Sequence, residues 1–367
     1  MAGAEFPTAP GQLTPDWLTH ALHNCGAAQS SSVTSFDAKV IGEGTGFLGE
    51  LAHLTLRYDK PEPGAPSTLI AKFPTTAPEN REVAMYFRFY ERETGFYQHI
   101  APQVQLRTPR CYFNAFNPEN GDFLLLLEDL SPAMVGDQVA GCPVEHARLA
   151  IHELAKFQAT WWNSPRVDAL EWIPRFDAEW QIEALEQNYE PCWPAFVDFV
   201  GPLLTPTLHD AGVRFGKSTR SMMNRIASES PITILHGDYR LDNMFFASPE
   251  GGPEFAVIDW QIAMRSMGVF DVAYFVAGTL PSEERRAHER EIVTSYHDTL
   301  VEHGVKGYSF DQCWEDYRTS ILFLFNYSVM AAGSIDMANE RGFTLFSTIA
   351  QRTLSAIEDL KAYEMLD

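Results

Sequence analysis

The chain changes character near Pro132, and that break limits the architectures open to it more than any other feature. Upstream, Val33 to Ile41 and Leu51 to Tyr58 are rich in β-formers and flank a glycine-rich run, which predicts a hairpin. Lys60-Pro61-Glu62-Pro63-Gly64-Ala65-Pro66 then interrupts the chain before a third apolar strand, Thr68 to Phe73. From about Glu79 to His99 the pattern is helical, and Pro109 to Phe116 and Asp122 to Glu128 form a further strand pair around Asn117-Pro118-Glu119-Asn120-Gly121. Downstream, helical stretches near 144–162, 177–199, 203–229, 284–303, 311–333 and 341–364 surround one short β-region. The expectation is an α+β, bilobal chain: residues 1–130 a small antiparallel-sheet lobe, residues 131–367 a larger, mainly helical lobe, with a hinge near Glu128 to Pro132. A length of 367 residues suits about two domains.

Composition narrows the setting. Forty-nine acidic residues against 27 basic ones give a net charge of −22, which disfavours nucleic acid and anionic membrane surfaces as partners. A cationic substrate is compatible with that charge, although such charge mostly serves solubility. Cys25, Cys111, Cys142, Cys192 and Cys313 lie far apart with no C-x-x-C pair, against both a disulfide framework and a zinc knuckle. A reducing, cytoplasmic setting is expected, and Met1 to Pro10 has neither the basic residue nor the apolar run of a cleaved signal. The most apolar stretch, Ile321 to Ala332, is interrupted by Asn326 and reads as a buried helix, too short to span a bilayer.

The short β-region carries the chemistry. Ile234-Leu235-His236-Gly237-Asp238-Tyr239-Arg240-Leu241-Asp242-Asn243 is followed, after a turn, by Val257-Ile258-Asp259-Trp260. Phosphoryl transfer needs a carboxylate to orient the acceptor hydroxyl and oxygen ligands for Mg²⁺ on the nucleotide phosphates. Asp238 suits the first task, Asn243 and Asp259 the second. A histidine-glycine-aspartate triplet alone is more often a turn, and the companions five and twenty-one residues further on reverse that reading. Arg240 either offsets charge on the moving phosphoryl group or forms a salt bridge within its own loop. His236 reads as structural, its ring holding the loop backbone.

A second set lies upstream. Lys72 closes the apolar strand Leu69-Ile70-Ala71-Lys72-Phe73, where it is either a snorkelling edge residue or the cation for nucleotide phosphates. The helix after it supplies Glu82, Glu91 and Glu93 as partners, of which Glu93 is favoured because Glu93-Thr94-Gly95-Phe96-Tyr97 leads into the helix end. Gly42, Gly44, Thr45, Gly46 and Gly49 make either a tight hairpin or a loop whose backbone N–H groups cover phosphates. No Gly-Lys-Ser/Thr follows, so this is not a Walker A loop.

Together these residues resemble the aminoglycoside phosphotransferase and choline kinase-like superfamily, over about residues 33–280. The resemblance implies a protein kinase-like fold. It also implies that Gly42 to Gly49 is the nucleotide loop, Lys72 the phosphate lysine with Glu93 its helix partner, and Leu127-Glu128-Asp129-Leu130 the hinge whose backbone meets adenine. Asp238 then matches the catalytic aspartate, Asn243 and Asp259 the Mg²⁺ ligands, and Asp271 a structural aspartate. Gly136-Asp137-Gln138 and the His236 to Asn243 run look closest to the branch of ecdysteroid kinase-like and uncharacterised bacterial phosphotransferases. Gly237 stands where protein kinases carry arginine, Trp260-Gln261 where they carry Phe-Gly, and no Ala-Pro-Glu follows. These departures imply an enzyme without phosphorylation control.

The expected function is Mg-dependent transfer of the γ-phosphate of ATP or GTP to a hydroxyl of a small molecule. A silent nucleotide-binding sensor or scaffold is the competing reading, and a protein kinase a third. Trp161, Trp162, Trp172, Trp180 and Trp193, with Tyr189, Phe196 and Phe199, either wall an acceptor site for a bulky apolar or cationic alcohol or pack the helical core.

Overall fold

An antiparallel sheet opens this computed structural model, which describes residues 6–42, 48–333 and 340–366. In chain order the first elements are α1 (Pro15–Asn24), β1 (Val33–Ile41), β2 (Gly49–Tyr58), β3 (Thr68–Pro74), α2 (Pro78–Tyr86), α3 (Phe89–Gly95), β4 (Cys111–Phe116), β5 (Phe123–Glu128) and β6 (Met134–Val135). There follow α4 (Val144–Trp161), α5 (Pro165–Asp168), α6 (Glu179–Val200), α7 (Pro206–Glu229), β7 (Thr233–Leu235), β8 (Met244–Ser248), β9 (Gly251–Val257), β10 (Met264–Ser266), α8 (Val269–Thr279), α9 (Ser282–Glu302), α10 (Phe310–Ala332) and α11 (Glu340–Asp359). Two units result: the chain up to Met134 with Ala247–Ile262, and Val135–Phe246 with Ala263 onward.

In the first unit five strands form one sheet in the order β1-β2-β3-β5-β4, every neighbouring pair antiparallel. Because strand side chains alternate, Leu69, Ala71 and Phe73 of β3 share one face, where they pack with Leu54, Leu124, Leu126 and Leu18 and Leu22 of α1. Ile70 and Lys72 therefore point to the opposite face, and Lys72 sits beside Leu125 in the β3–β5 register. That second face is covered from the α3 side, where Tyr90 meets Phe123 at 4.6 Å between ring centroids.

The helix read over Glu79 to His99 is broken. Arg88 adopts φ 59°, a left-handed conformation that stops α2 and restarts the chain as α3, and Phe96–Ile100 continue as a π-helical turn. The helix α1, absent from the strand-dominated reading, opens with Thr14 capping the Trp17 N–H at 3.1 Å and Pro15 at its first position.

In the second unit α10 is the central helix, packed by α6, α8 and α11, while α4 lies along α9. Ile321 to Phe325 of α10 are buried, as the apolar run predicts. The short strands β7 and β10 pair antiparallel, Leu235 opposite Met264, so the catalytic-type motif leaves the end of a buried strand. Among the described residues no helix is long and apolar enough to cross a membrane, and all five cysteines are free thiols.

Candidate active site

In the first unit, the β3 pleat aims Lys72 at α3. Its Nζ lies 2.7 Å from Glu93 Oε2 and 2.9 Å from Oε1, and also 2.9 Å from Asp259 Oδ1. The favoured partner Glu93 is thus the one the structure brings to Lys72, while Glu91 is held by Arg88 at 2.8 Å. The pairing with Asp259, 187 residues away in sequence, was not expected. Glu93 is 2% exposed, and its burial raises the carboxyl to about 7 despite the adjacent ammonium. Burial pushes Lys72 down, yet the charges of Asp259 and Glu93 outweigh it and hold the ammonium well above its ordinary range.

Asp259 stands at φ 66°, a left-handed backbone uncommon for any side chain but glycine. Two neighbours fix it there. Gln261 donates to its Oδ2 at 3.2 Å, and Trp260, fully buried, stacks on Phe96 with centroids 3.8 Å apart and planes 5° from parallel. Phe96 follows Glu93 by three residues, so both carboxylates around Lys72 belong to segments joined by that stack.

Of the glycine run, Gly44, Thr45 and Gly46 lie outside the described residues, while Gly42 and Gly49 are described. A Cβ at Gly49 would meet Phe73 O at 3.1 Å and Lys72 Cε at 3.5 Å, so a bulkier residue would crowd the lysine. At the expected hinge, the Glu128 carboxylate is occupied by Arg107 at 2.6 Å and the Arg110 N–H at 2.9 Å, and Leu130 is buried.

In the second unit, Asp238 leaves β7 through Gly237, whose φ of 85° suits glycine. The buried Asp271 carboxylate accepts the N–H groups of His236 (2.8 Å) and Gly237 (3.0 Å), with the Gln158 side chain at 3.2 Å. Burial raises Asp271 to about 7 against the pull of those donors. His236 is fully buried and its Nδ1 accepts the Asp238 N–H at 3.2 Å, the structural part read for it from sequence.

The Asp238 carboxylate is ringed by donors. Tyr274 Oη donates to Oδ1 at 2.8 Å, Arg240 Nε reaches both oxygens at 3.0 Å, and Asn243 Nδ2 donates to Oδ2 and to the Asp238 carbonyl, each at 2.9 Å. Burial pushes Asp238 up, but the Arg240 guanidinium foremost, then His236 and the hydrogen bonds, hold it below the usual carboxylate range. Arg240 also binds Asp242, so of its two readings the structure displays the salt bridge within the loop.

Two residues around this loop went unassigned in the sequence. Tyr274 lies one helical turn beyond Asp271 on α8, a spacing that places both on the face meeting the loop. Gln138 accepts the Leu241 N–H through Oε1 at 2.9 Å and gives its own N–H to Asp242 Oδ1 at 3.1 Å. Gly136 precedes it where a Cβ would meet Leu241 O at 2.8 Å, which explains a glycine there without any ligand. The run Gly136-Asp137-Gln138 is therefore a strut under the motif.

The tryptophan-rich segment mostly packs the core. Trp161 is buried under the Arg166 guanidinium at 4.5 Å, Trp162 meets Tyr308 at 5.0 Å, and Trp193 fills the space over Gly212, with Tyr189 and Phe196 buried beside it. Trp172 and Trp180 are half-buried, as is Phe199.

In the first unit the Asp259 carboxylate is a candidate cation ligand; in the second the Asn243 amide oxygen is another, its NH₂ being spent on Asp238. Among the described residues no group of three or more His, Cys, Asp or Glu is arranged to hold an ion. An oxygen ligand of either kind fits Mg²⁺, which is bound by one or two side chains and keeps water and phosphate oxygens as its other ligands.

The model of the phosphotransferase enzyme family, APH, matches residues 62–309. No curated protein matches the chain. Among solved structures, the ethanolamine kinase of Plasmodium vivax aligns with a TM-score of 0.52 at 12% identity, covering 95% of this chain and 89% of that one. The choline kinase of Cryptosporidium parvum aligns at 0.51 and 11%, covering 89% and 91%. At such identities the likeness speaks for the fold alone, the protein kinase-like arrangement of an antiparallel sheet followed by helices, as expected. With the family model spanning most of the molecule, the chain belongs to the phosphotransferase enzyme family.

Proposed function

We propose that the protein transfers the γ-phosphoryl group of ATP or GTP to a hydroxyl of a small molecule. The observation that carries this reading is the Asp238 carboxylate, kept ionised and fixed in direction by Tyr274, Arg240 and Asn243 on a loop itself pinned by Asp271. Such a group accepts a hydrogen bond from an acceptor hydroxyl and aims its oxygen at phosphorus. The alcohol oxygen forms the new P–O bond, and the bond from γ-phosphorus to the β,γ-bridging oxygen breaks with its electron pair leaving on the nucleoside diphosphate. The hydroxyl proton passes through Asp238 to solvent.

Lys72 is the cation for the α- and β-phosphates, its rotamer held by Glu93. Gly42 to Gly49 is assigned to cover the phosphates and the Glu128 to Leu130 backbone to meet the base, roles that rest on the family resemblance. Asn243 and Asp259 are the proposed ligands of Mg²⁺, which when bound neutralises phosphate charge. Arg240, engaged with Asp238, acts as a positioning residue that keeps the base ionised.

Asp238→Asn is the test. The variant should keep the thermal shift produced by Mg-nucleotide and lose about a thousandfold in turnover. Turnover at the wild-type rate would remove Asp238 from the mechanism. A wild-type protein that binds nucleotide yet transfers phosphate to no alcohol would be the sensor or scaffold instead.

A further inference from the structure

In the second unit, α6, α8, α10 and α11 enclose a cavity of about 170 Å³. Phe199, Tyr274, Leu324, Tyr327, Phe346 and Ile349 make much of its wall, and among the described residues no acidic or basic side chain borders it. Of the polar residues that do, Gln138 is spent on Leu241 and Thr279, and Ser328 donates to Leu324 O at 3.1 Å within its own helix. The cavity is comparable in size to the apolar cavity of about 150 Å³ that takes up benzene.

Its wall is continuous with the catalytic loop at two points. Tyr274 borders the cavity and donates to Asp238 at 2.8 Å; Gln138 borders it and holds the backbone of Leu241. An occupant lying against the Tyr274 ring is therefore one phenol away from the Asp238 carboxylate. A quaternary ammonium there would exchange its water for the aromatic faces of Phe199, Tyr274, Tyr327 and Phe346, a weaker attraction than the counter-charge that the wall lacks.

We infer that this cavity receives the body of the acceptor, and that the acceptor is a neutral, largely apolar alcohol whose hydroxyl reaches Asp238 beside the Tyr274 phenol. This rests on the phosphotransferase reading above. The transfer itself is the one already balanced there. Phe199 is the one member of the aromatic segment that borders the cavity, so selectivity belongs to the four helices and not to a tryptophan wall.

A matched pair isolates charge from shape: 3,3-dimethyl-1-butanol and choline differ in a quaternary carbon against a quaternary nitrogen. With the full chain, saturation-transfer NMR should detect binding of the neutral alcohol without nucleotide. Its kcat/KM with Mg-ATP or Mg-GTP should exceed that of choline by about tenfold or more. Ala331→Phe, which fills the cavity, should abolish that binding. Ile349→Ala, which enlarges it, should shift preference toward 1-octanol and guards against a filled variant that fails to fold. Equal or better use of choline, or binding that neither substitution alters, would overturn the inference. Binding that both alter with no phosphate transferred would keep the pocket and sink the phosphotransferase reading; transfer confined to charged acceptors would do the reverse.

Discussion

In the first unit a single ammonium, Lys72, is shared by two carboxylates; in the second a single carboxylate, Asp238, is shared by a phenol, a guanidinium and an amide. Desolvation opposes the charged forms of Lys72 and Asp238, and in each case the charges of the neighbours overcome it. Their outcomes differ. Around Lys72, burial foremost, with the Asp259 charge added, raises one acid, Glu93, to about 7 against the pull of the ammonium. Around Asp238 the donors outnumber the acid, and its carboxyl stays low. The roles proposed above, a cation for phosphates and a base that stays ionised, call for these opposite balances.

Removing the cation should disrupt the comparison most. Lys72→Met should lower kcat/KM for the nucleotide by about a hundredfold, as a lost charge-assisted contact worth about 3 kcal/mol would. It should also leave Glu93 and Asp259 facing each other without a counter-ion, so steady-state kinetics and thermal melting are both read. Unchanged nucleotide KM and kcat would put Lys72 outside the phosphate site.

Next in size is Asp271→Asn, which turns an amide donor toward one of the backbone N–H groups and should cost about 2 kcal/mol of stability. The sign of its pH dependence follows from a raised carboxyl. The folded-state value of about 7 lies above the ordinary 3.8, so the wild-type contribution is full below about 3.8 and lost as pH rises through about 7. The Tm deficit of the variant should therefore be larger at pH 5 than at pH 8, measured by calorimetry. A deficit that grows with pH would mean Asp271 is ionised in the fold at acid pH.

The smallest change sharpens the second cluster. Arg240→Gln removes the leading charge that holds Asp238 low, leaving burial less opposed, so the Asp238 carboxyl rises. The acid limb of kcat/KM should move to higher pH, with a loss of about tenfold at neutral pH. An acid limb that stays in place would assign it to another group.

Much of this was legible where local pattern decides. Val33–Ile41 is a strand with the bounds its β-branched run suggests, and the change near Pro132 is the passage from sheet to helices. The Lys72–Glu93 pair was readable because strand and helix are consecutive. What escaped depends on contacts distant in sequence or on backbone conformation. The break at Arg88 is a left-handed residue inside a helical pattern, and α8, with its buried Asp271, is apolar on all sides and so shows no amphipathic period. Tyr274 was recoverable only through Asp271, by asking what stands one turn further on the same face.

The stack of Trp260 on Phe96 has a consequence for control. Swinging Asp259 away from Lys72 would expose a buried indole and break an aromatic pair, a cost of about 3 kcal/mol. A displaced arrangement at that cost is populated less than about one part in a hundred. The lysine and its acids are consequently preassembled, and in the phosphotransferase proposed above any control would have to act elsewhere than on this segment.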